Sequence, residues 1–191
     1  MENDEYYDID IILAEQNKVP CIFQVAIDAE VNVLGDHSQV TAESKHELPY
    51  WLAKPLAQYK LPSTGEILIN VEVPKSFSPR VRNSIEASAT SADLNSLCPY
   101  FYLFGYRIVN LMFDKELHEL LYKAFRLRIK DVMDYSETGT ARYGTEFLYK
   151  IDETEKELFM IGQKHSSDLK HWFLHHQQEL KYSQIHLRSA Q

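Results

Sequence analysis

Apolar and polar positions change rhythm about two-fifths of the way along the chain. The first part carries short runs with strand character. Cys21-Ile22-Phe23-Gln24-Val25-Ala26-Ile27 has the β-branched and aromatic composition of a strand, with Pro20 at its first position, where a missing N–H is tolerated. Val31-Asn32-Val33-Leu34 reads as a second strand, ended by Gly35-Asp36. Ile67 to Val73 is the clearest strand, and Pro74 stops it. Before these, Tyr6 to Glu15 predicts a helical turn or two, with Asp8 or Asp10 as N-cap. Between them, a polar loop from His37 to Lys45 leads into the apolar run Leu48-Pro49-Tyr50-Trp51-Leu52-Ala53. That run predicts a short helix with Pro49 in its first turn. Buried tryptophan removes about 150–250 Å² from water, so Trp51 is expected to plug a small core together with Leu52 and Phe23. Pro55 is expected to kink that helix or end it near Lys54.

From Phe77 onward the spacing is helical. Pro79 to Ala89 predicts a helix capped by Ser76 or Ser78. Leu97 to Phe113 is apolar nearly all round, which marks a helix buried on all sides. Asp114 is placed to cap the next helix, where Leu117, Leu120, Leu121, Ala124 and Leu127 keep one face. Asp131 to Tyr143 ends as loop. From Glu146, the positions Phe147, Ile151, Thr154, Leu158, Ile161, Leu169, Trp172 and Phe173 form a nearly continuous stripe, which Gly162 and Ser166-Ser167 could bend. The pattern predicts about four helices here. The fold class is therefore α+β: a small β-containing domain over 1–76, then an all-α domain over 77–191.

Charge supports the division. Residues 1–76 hold five Lys and Arg against thirteen Asp and Glu, whereas 77–191 hold fifteen of each. This break places a boundary near Pro74–Pro79 and predicts weak coupling between the two parts. An acidic domain repels phosphate backbones, so duplex DNA is not an expected partner of the chain alone. No apolar run approaches the ~18–20 residues of a membrane span. The acidic Met1-Glu2-Asn3-Asp4-Glu5 is not a signal peptide. Cys21 and Cys98 form no pattern, and no Asn-x-Ser/Thr acceptor occurs, which fits a reducing compartment.

Chemical motifs are incomplete. His46-Glu47-Leu48-Pro49-Tyr50 and His118-Glu119-Leu120-Leu121-Tyr122 start like a zinc-protease helix but carry Tyr where the second His must ligate. Gly139 to Thr145 has P-loop glycine spacing with Thr145 in place of the phosphate-binding Lys. His171 and His175, with His176 alongside, have ligand spacing without a completing cluster. No cofactor, metal or catalytic set is proposed by these residues. Lys123, Arg126, Arg128 and Lys130 form the densest basic cluster, read as a solvated face partly paired with Glu119, or alternatively as a phosphate-contacting helix.

The Tyr100–Phe113 segment carries the functional reading. Its large apolar residues point in every helical direction, and one helix among four has too few neighbours to cover them. The uncovered remainder exceeds what a monomer exposes, so an obligate protein interface is expected. Tyr100, Phe101, Phe104 and Tyr106, with Phe125, Arg126 and Trp172, are the expected partner contacts.

Several ordered pieces then resemble a known family. They are Tyr6-Tyr7-Asp8-Ile9-Asp10 with Ile12-Leu13, Val19-Pro20-Cys21, Leu48 to Ala53, Val73-Pro74-Lys75, Pro99-Tyr100-Phe101-Tyr102 with Phe104-Gly105, and Met133-Asp134-Tyr135-Ser136. Glu155, Leu158, Phe159, Gly162 and Trp172 close the series. The chain resembles the third partner subunit of the eukaryotic GINS complex from Tyr6 to about Trp172. Ile11 departs from the family's frequent second Asp. The resemblance implies a B domain followed by a helical A domain and a nuclear, non-catalytic role in DNA replication. It implies assembly with three paralogous GINS subunits and, in the CMG helicase, with the MCM hexamer and a DHH-fold subunit. The alternatives from the residues are a nucleic-acid-contacting helical subunit of another nuclear assembly and, more distantly, a small enzyme.

Overall fold

The computed structural model describes residues 7–28, 31, 39–62, 65–138 and 144–189. Helix α1 (Ile9–Glu15) is capped by Asp8, whose Oδ1 accepts from the Asp10 N–H at 2.9 Å. Strand β1 (Lys18–Phe23) follows, then β2 (Lys45–Pro49), α2 (Tyr50–Gln58) and β3 (Ile69–Val71). The sheet order is β2-β1-β3, antiparallel throughout. Lys18 pairs with Pro49 and Ile22 with Lys45 on one side, and Cys21 with Val71 on the other. One face points inward through Val19, Cys21, Phe23, Leu48 and Ile69, all buried.

Pro20 lies inside the central strand rather than at its start. Its carbonyl accepts from the Glu72 N–H at 2.8 Å. Its nitrogen faces the end of β3, where one absent ladder bond costs little. β2 is a strand that the hydropathy pattern does not mark. Lys45, His46 and Glu47 are polar, as an edge strand tolerates. Of the expected strand at 31–34, only Val31 is among the described residues, and it is not in a strand. The helix after β2 begins at Tyr50 and runs through Pro55 to Gln58, instead of ending near Lys54. Trp51 and Pro55 are both exposed, so the Trp51 carbonyl that Pro55 cannot serve lies on the solvated side.

The same helix corrects the expected core. Trp51 is 51% exposed, while its neighbour Tyr50 is 2% exposed. Leu52 is half-buried against the core and Phe23 is fully buried. Tyr50, not Trp51, fills the centre. Its ring stands edge-on to Phe104, 6.5 Å between centroids, and its hydroxyl donates to the Arg107 carbonyl at 3.2 Å.

After a 3₁₀ turn (Lys75–Phe77) come α3 (Pro79–Ala87), α4 (Leu94–Leu97), α5 (Phe101–Met112), α6 (Lys115–Thr138), α7 (Gly144–Lys150) and α8 (Glu153–Ser189). Helix α6 runs to Thr138, the expected loop at the end of the 131–143 stretch lies outside the described residues, and a break at Ile151-Asp152 divides α7 from α8. The core does not stop at residue 76. Phe77 packs on Phe101 and Phe104 at 5.0 and 5.5 Å, and Glu15 of α1 pairs with Arg107 of α5 at 3.3 Å. One hydrophobic cluster runs from Val19 to Ala124. The weak coupling expected from the charge break is therefore not what the packing gives.

Candidate protein interface

Helix α5 buries Phe101, Phe104, Gly105 and Ile108 among α1, α4, α6 and α8. It has more neighbours than the sequence reading allows, so its apolar surface is largely covered within the chain. Phe101 and Phe104, each 1% exposed, are core residues and not partner contacts. Tyr100 is half-buried beside Asp10 and Glu153, and burial pushes its hydroxyl above the usual tyrosine range. Phe125 is half-buried with its ring edge-on to Tyr102 at 5.4 Å, which also turns it inward. Tyr106, Arg126 and Trp172 do face solvent.

Helix α6 starts at the expected cap: Asp114 Oδ1 accepts from the Leu117 N–H at 3.0 Å, and its Oδ2 pairs with Arg82 at 2.6 Å. Arg82 and the backbone hold the Asp114 carboxyl below the usual range. Leu117, Leu121 and Ala124 are buried, but Leu127 is 54% exposed. The next inward position belongs to Arg128, 3% exposed. The basic cluster is thus dispersed by folding. Lys123, Arg126 and Lys130 are exposed, and Lys123 shares a recess of about 250 Å³ with Glu86, Glu116 and Glu119.

Arg128 fixes where α8 begins. Its guanidinium makes a two-pronged pair with Glu155, Nε to Oε1 at 2.8 Å and Nη2 to Oε2 at 2.9 Å. Nη1 donates to the carbonyls of Ala89 and Ala92 at 2.7 and 2.9 Å. Tyr102 donates its hydroxyl to Glu155 Oε1 at 3.0 Å. Asp152 caps α8 by accepting from the Glu155 N–H at 2.9 Å, and also accepts from the Tyr102 N–H at 3.3 Å. Burial, then the Glu155 charge, push the Asp152 carboxyl up to about 6. Every charged oxygen here has a partner, as burial requires.

With its start fixed, α8 crosses α6 where Gly162 meets Ser136. A Cβ at Gly162 would stand 2.9 Å from Ser136 Cβ, so only glycine permits the approach. Thirty-seven residues make a helix of about 55 Å. Beyond the crossing, Leu169, Trp172, Phe173 and Leu174 are each more than half exposed. On α6, Tyr122, Arg126, Ile129 and Met133 share a stripe at i, i+4, i+7, i+11, and the Arg126 guanidinium lies 5.7 Å from the Tyr122 ring centroid. Met133 then joins Leu169 and Phe173 in a groove of about 540 Å³ between α6 and α8. Stripe and groove make one extended apolar surface. Contiguous surface of this kind marks protein contact sites. Among the described residues no cluster could hold a metal ion, and no helix is long and apolar enough to cross a membrane. The glycine-spaced segment 139–143 lies outside the described residues.

The profile of the PSF3 N-terminal domain matches residues 7–58, and that of the GINS complex protein helical bundle domain matches 76–174. The chain belongs to the PSF3 family of GINS proteins. It is 33% identical over 173 residues to the DNA replication complex GINS protein PSF3 of Phaeosphaeria nodorum, covering 87% of this chain and 94% of that one. The mouse protein of the same name is 30% identical, with 88% and 80% covered. The fission yeast protein is also 30% identical, with 88% and 96% covered. Stripe and groove fall inside the GINS bundle match, and α1 inside the PSF3 N-terminal match. Of the residues that the sequence reading names as partner contacts, Arg126 lies on the stripe and Trp172 is exposed on α8, whereas it does not name Tyr122, Met133, Leu169 or Phe173 for that role. The 122–126–133 spacing was the available signal.

Proposed function

We propose that the chain is a non-catalytic scaffold subunit of a GINS complex acting in chromosomal DNA replication, at initiation and elongation, in the nucleus. It assembles with three paralogous subunits through the helical part, residues 77–191, while 1–76 forms a smaller α+β part. In this reading the complex works within the CMG helicase beside the MCM hexamer and a DHH-fold subunit, which supply the motor and its third component. The single observation that supports an interaction role is the continuous Tyr122-to-Met133 stripe and α6–α8 groove. An enzyme would need convergent acid–base or nucleophilic groups. Of the strongly perturbed groups, Asp152 and Tyr102 are tied into the Arg128–Glu155 lock, and Cys21 and Cys98 are thiols that burial pushes up to about 11, away from the thiolate form.

The test is tagged co-expression with the three candidate paralogues, followed by mass spectrometry of the purified material. Stoichiometric recovery of all three is expected. Met133→Asp with Phe173→Asp should sharply reduce their recovery while circular dichroism stays unchanged. Full recovery with the double variant would remove the surface from the interface. Recovery of none of the three by the parent chain would defeat the assembly reading.

A further inference from the structure

Helix α1 turns its larger apolar side away from its own core. Ile9, Ile12 and Leu13 recur at i, i+3 and i+4 on one face and are 70%, 46% and 44% exposed. The inward side carries the small Ala14, buried, with Ile11 half-buried. Asp10 meets the Tyr100 hydroxyl and Glu15 meets Arg107, so these polar contacts, with Ala14 and Ile11, face inward on α1. Surface helices ordinarily place the aliphatic stripe inward. Here three branched side chains are left outside on a seven-residue helix, too short to persist in water on its own propensity.

The exposed charged side chains beside this stripe are acidic, Asp8 and Asp10, while Glu15 is paired with Arg107. Among the described residues before Lys18 the charged side chains are Asp8, Asp10 and Glu15, with no Lys or Arg. Such a face repels nucleic acid, anionic lipid surfaces and a second copy of itself. It complements a helix with an aliphatic stripe flanked by cations. The segment lies in the 7–58 match, outside the helical bundle through which paralogues are proposed to join. We propose that the outward face of α1 docks a basic amphipathic helix of a partner protein, its aliphatic side chains on Ile9, Ile12 and Leu13 and its lysines or arginines facing the acidic surround that includes Asp8.

The probe is a fluorescein-labelled leucine–lysine amphipathic peptide, titrated by anisotropy into the complex with its co-expressed subunits. Where no complex forms, the chain itself is titrated, so failure of assembly and failure of docking are read separately. A scrambled peptide of identical composition, lacking the stripe, should bind at least about tenfold more weakly. Ile12→Asp with Leu13→Asp should cost about tenfold or more, with unchanged circular dichroism because both positions are partly exposed. Asp8→Asn keeps the helix cap and removes one charge, so it should weaken binding and flatten its dependence on salt between about 0.05 and 0.5 M. Equal binding of the scrambled peptide, or no effect of the Ile12/Leu13 variant, would overturn the proposal. So would absence of binding to the assembled complex, which would mean that another subunit covers the face.

Discussion

Arg128 is the residue whose role departs furthest from its appearance in the sequence. It stands in a run with Lys123, Arg126 and Lys130, and a hydropathy pattern assigns all four to solvent. Its partner lies 27 residues on, at Glu155. No local spacing reveals a pair so distant, whereas the neighbouring cap at Asp114 is legible because cap and helix are adjacent. Arg128→Met should destabilise the folded complex by roughly 3–5 kcal/mol, since it leaves Glu155 buried without its cation. Arg128→Met with Glu155→Leu should recover part of that loss, because Glu155 is no longer left without its cation. Urea midpoints of the two variants decide this, and equal midpoints would show that the pair is not the lock described. Asp152 makes a separate prediction in pH. Its folded pKa of about 6 exceeds the unfolded value of about 4. Between these values the folded state holds the proton and the unfolded state does not, so stability contributed by Asp152 falls as pH rises from about 4 to about 6. Asp152→Asn retains an oxygen for the Glu155 N–H and cannot titrate. The parent should therefore lose stability relative to the variant across that window, and parallel pH profiles would contradict the assignment.

Helix α2 shows what an apolar run leaves undetermined. Leu48 to Ala53 is apolar at nearly every position, so its pattern carries no phase. A rotation of 100° per residue separates Tyr50 from Trp51, and only the docking of α2 on the sheet and α5 decides which one is buried. Tyr50→Ala should cost roughly 3–5 kcal/mol as a core truncation. Trp51→Ala should cost less than about 1 kcal/mol. Thermal melts of both variants in the complex test this, and the reverse order would restore Trp51 to the core. The β2 edge was illegible for the opposite reason, since its solvated face carries Lys45 and Glu47. Helices α6 and α8 were legible because their apolar positions repeat over several turns, whereas the single turn of α4 and the break between α7 and α8 leave no such repeat. Gly105 and Gly162 gain their meaning only from the neighbours that crowd them, Leu121 with Phe77 and Ser136.

For the whole molecule, a small sheet near the N-terminus followed by a mostly helical remainder was visible in the rhythm of the sequence, and the rings of Tyr50, Phe77, Phe101 and Phe104 join the two in one core. Loss of the Tyr50 ring should therefore lower a single cooperative transition instead of melting residues 1–76 alone. The excess apolar surface was also anticipated, but on the wrong helix. Helix α5 is largely covered by four others, with Tyr106 left exposed, and larger sets of exposed apolar side chains lie on α6, α8 and α1. The obligate-assembly account then rests on what that surface does in water. Sedimentation velocity of the chain expressed without related subunits measures it most directly. The account predicts heterogeneous self-association, replaced by one discrete larger species when the paralogues are co-expressed. A stable monodisperse monomer would contradict it.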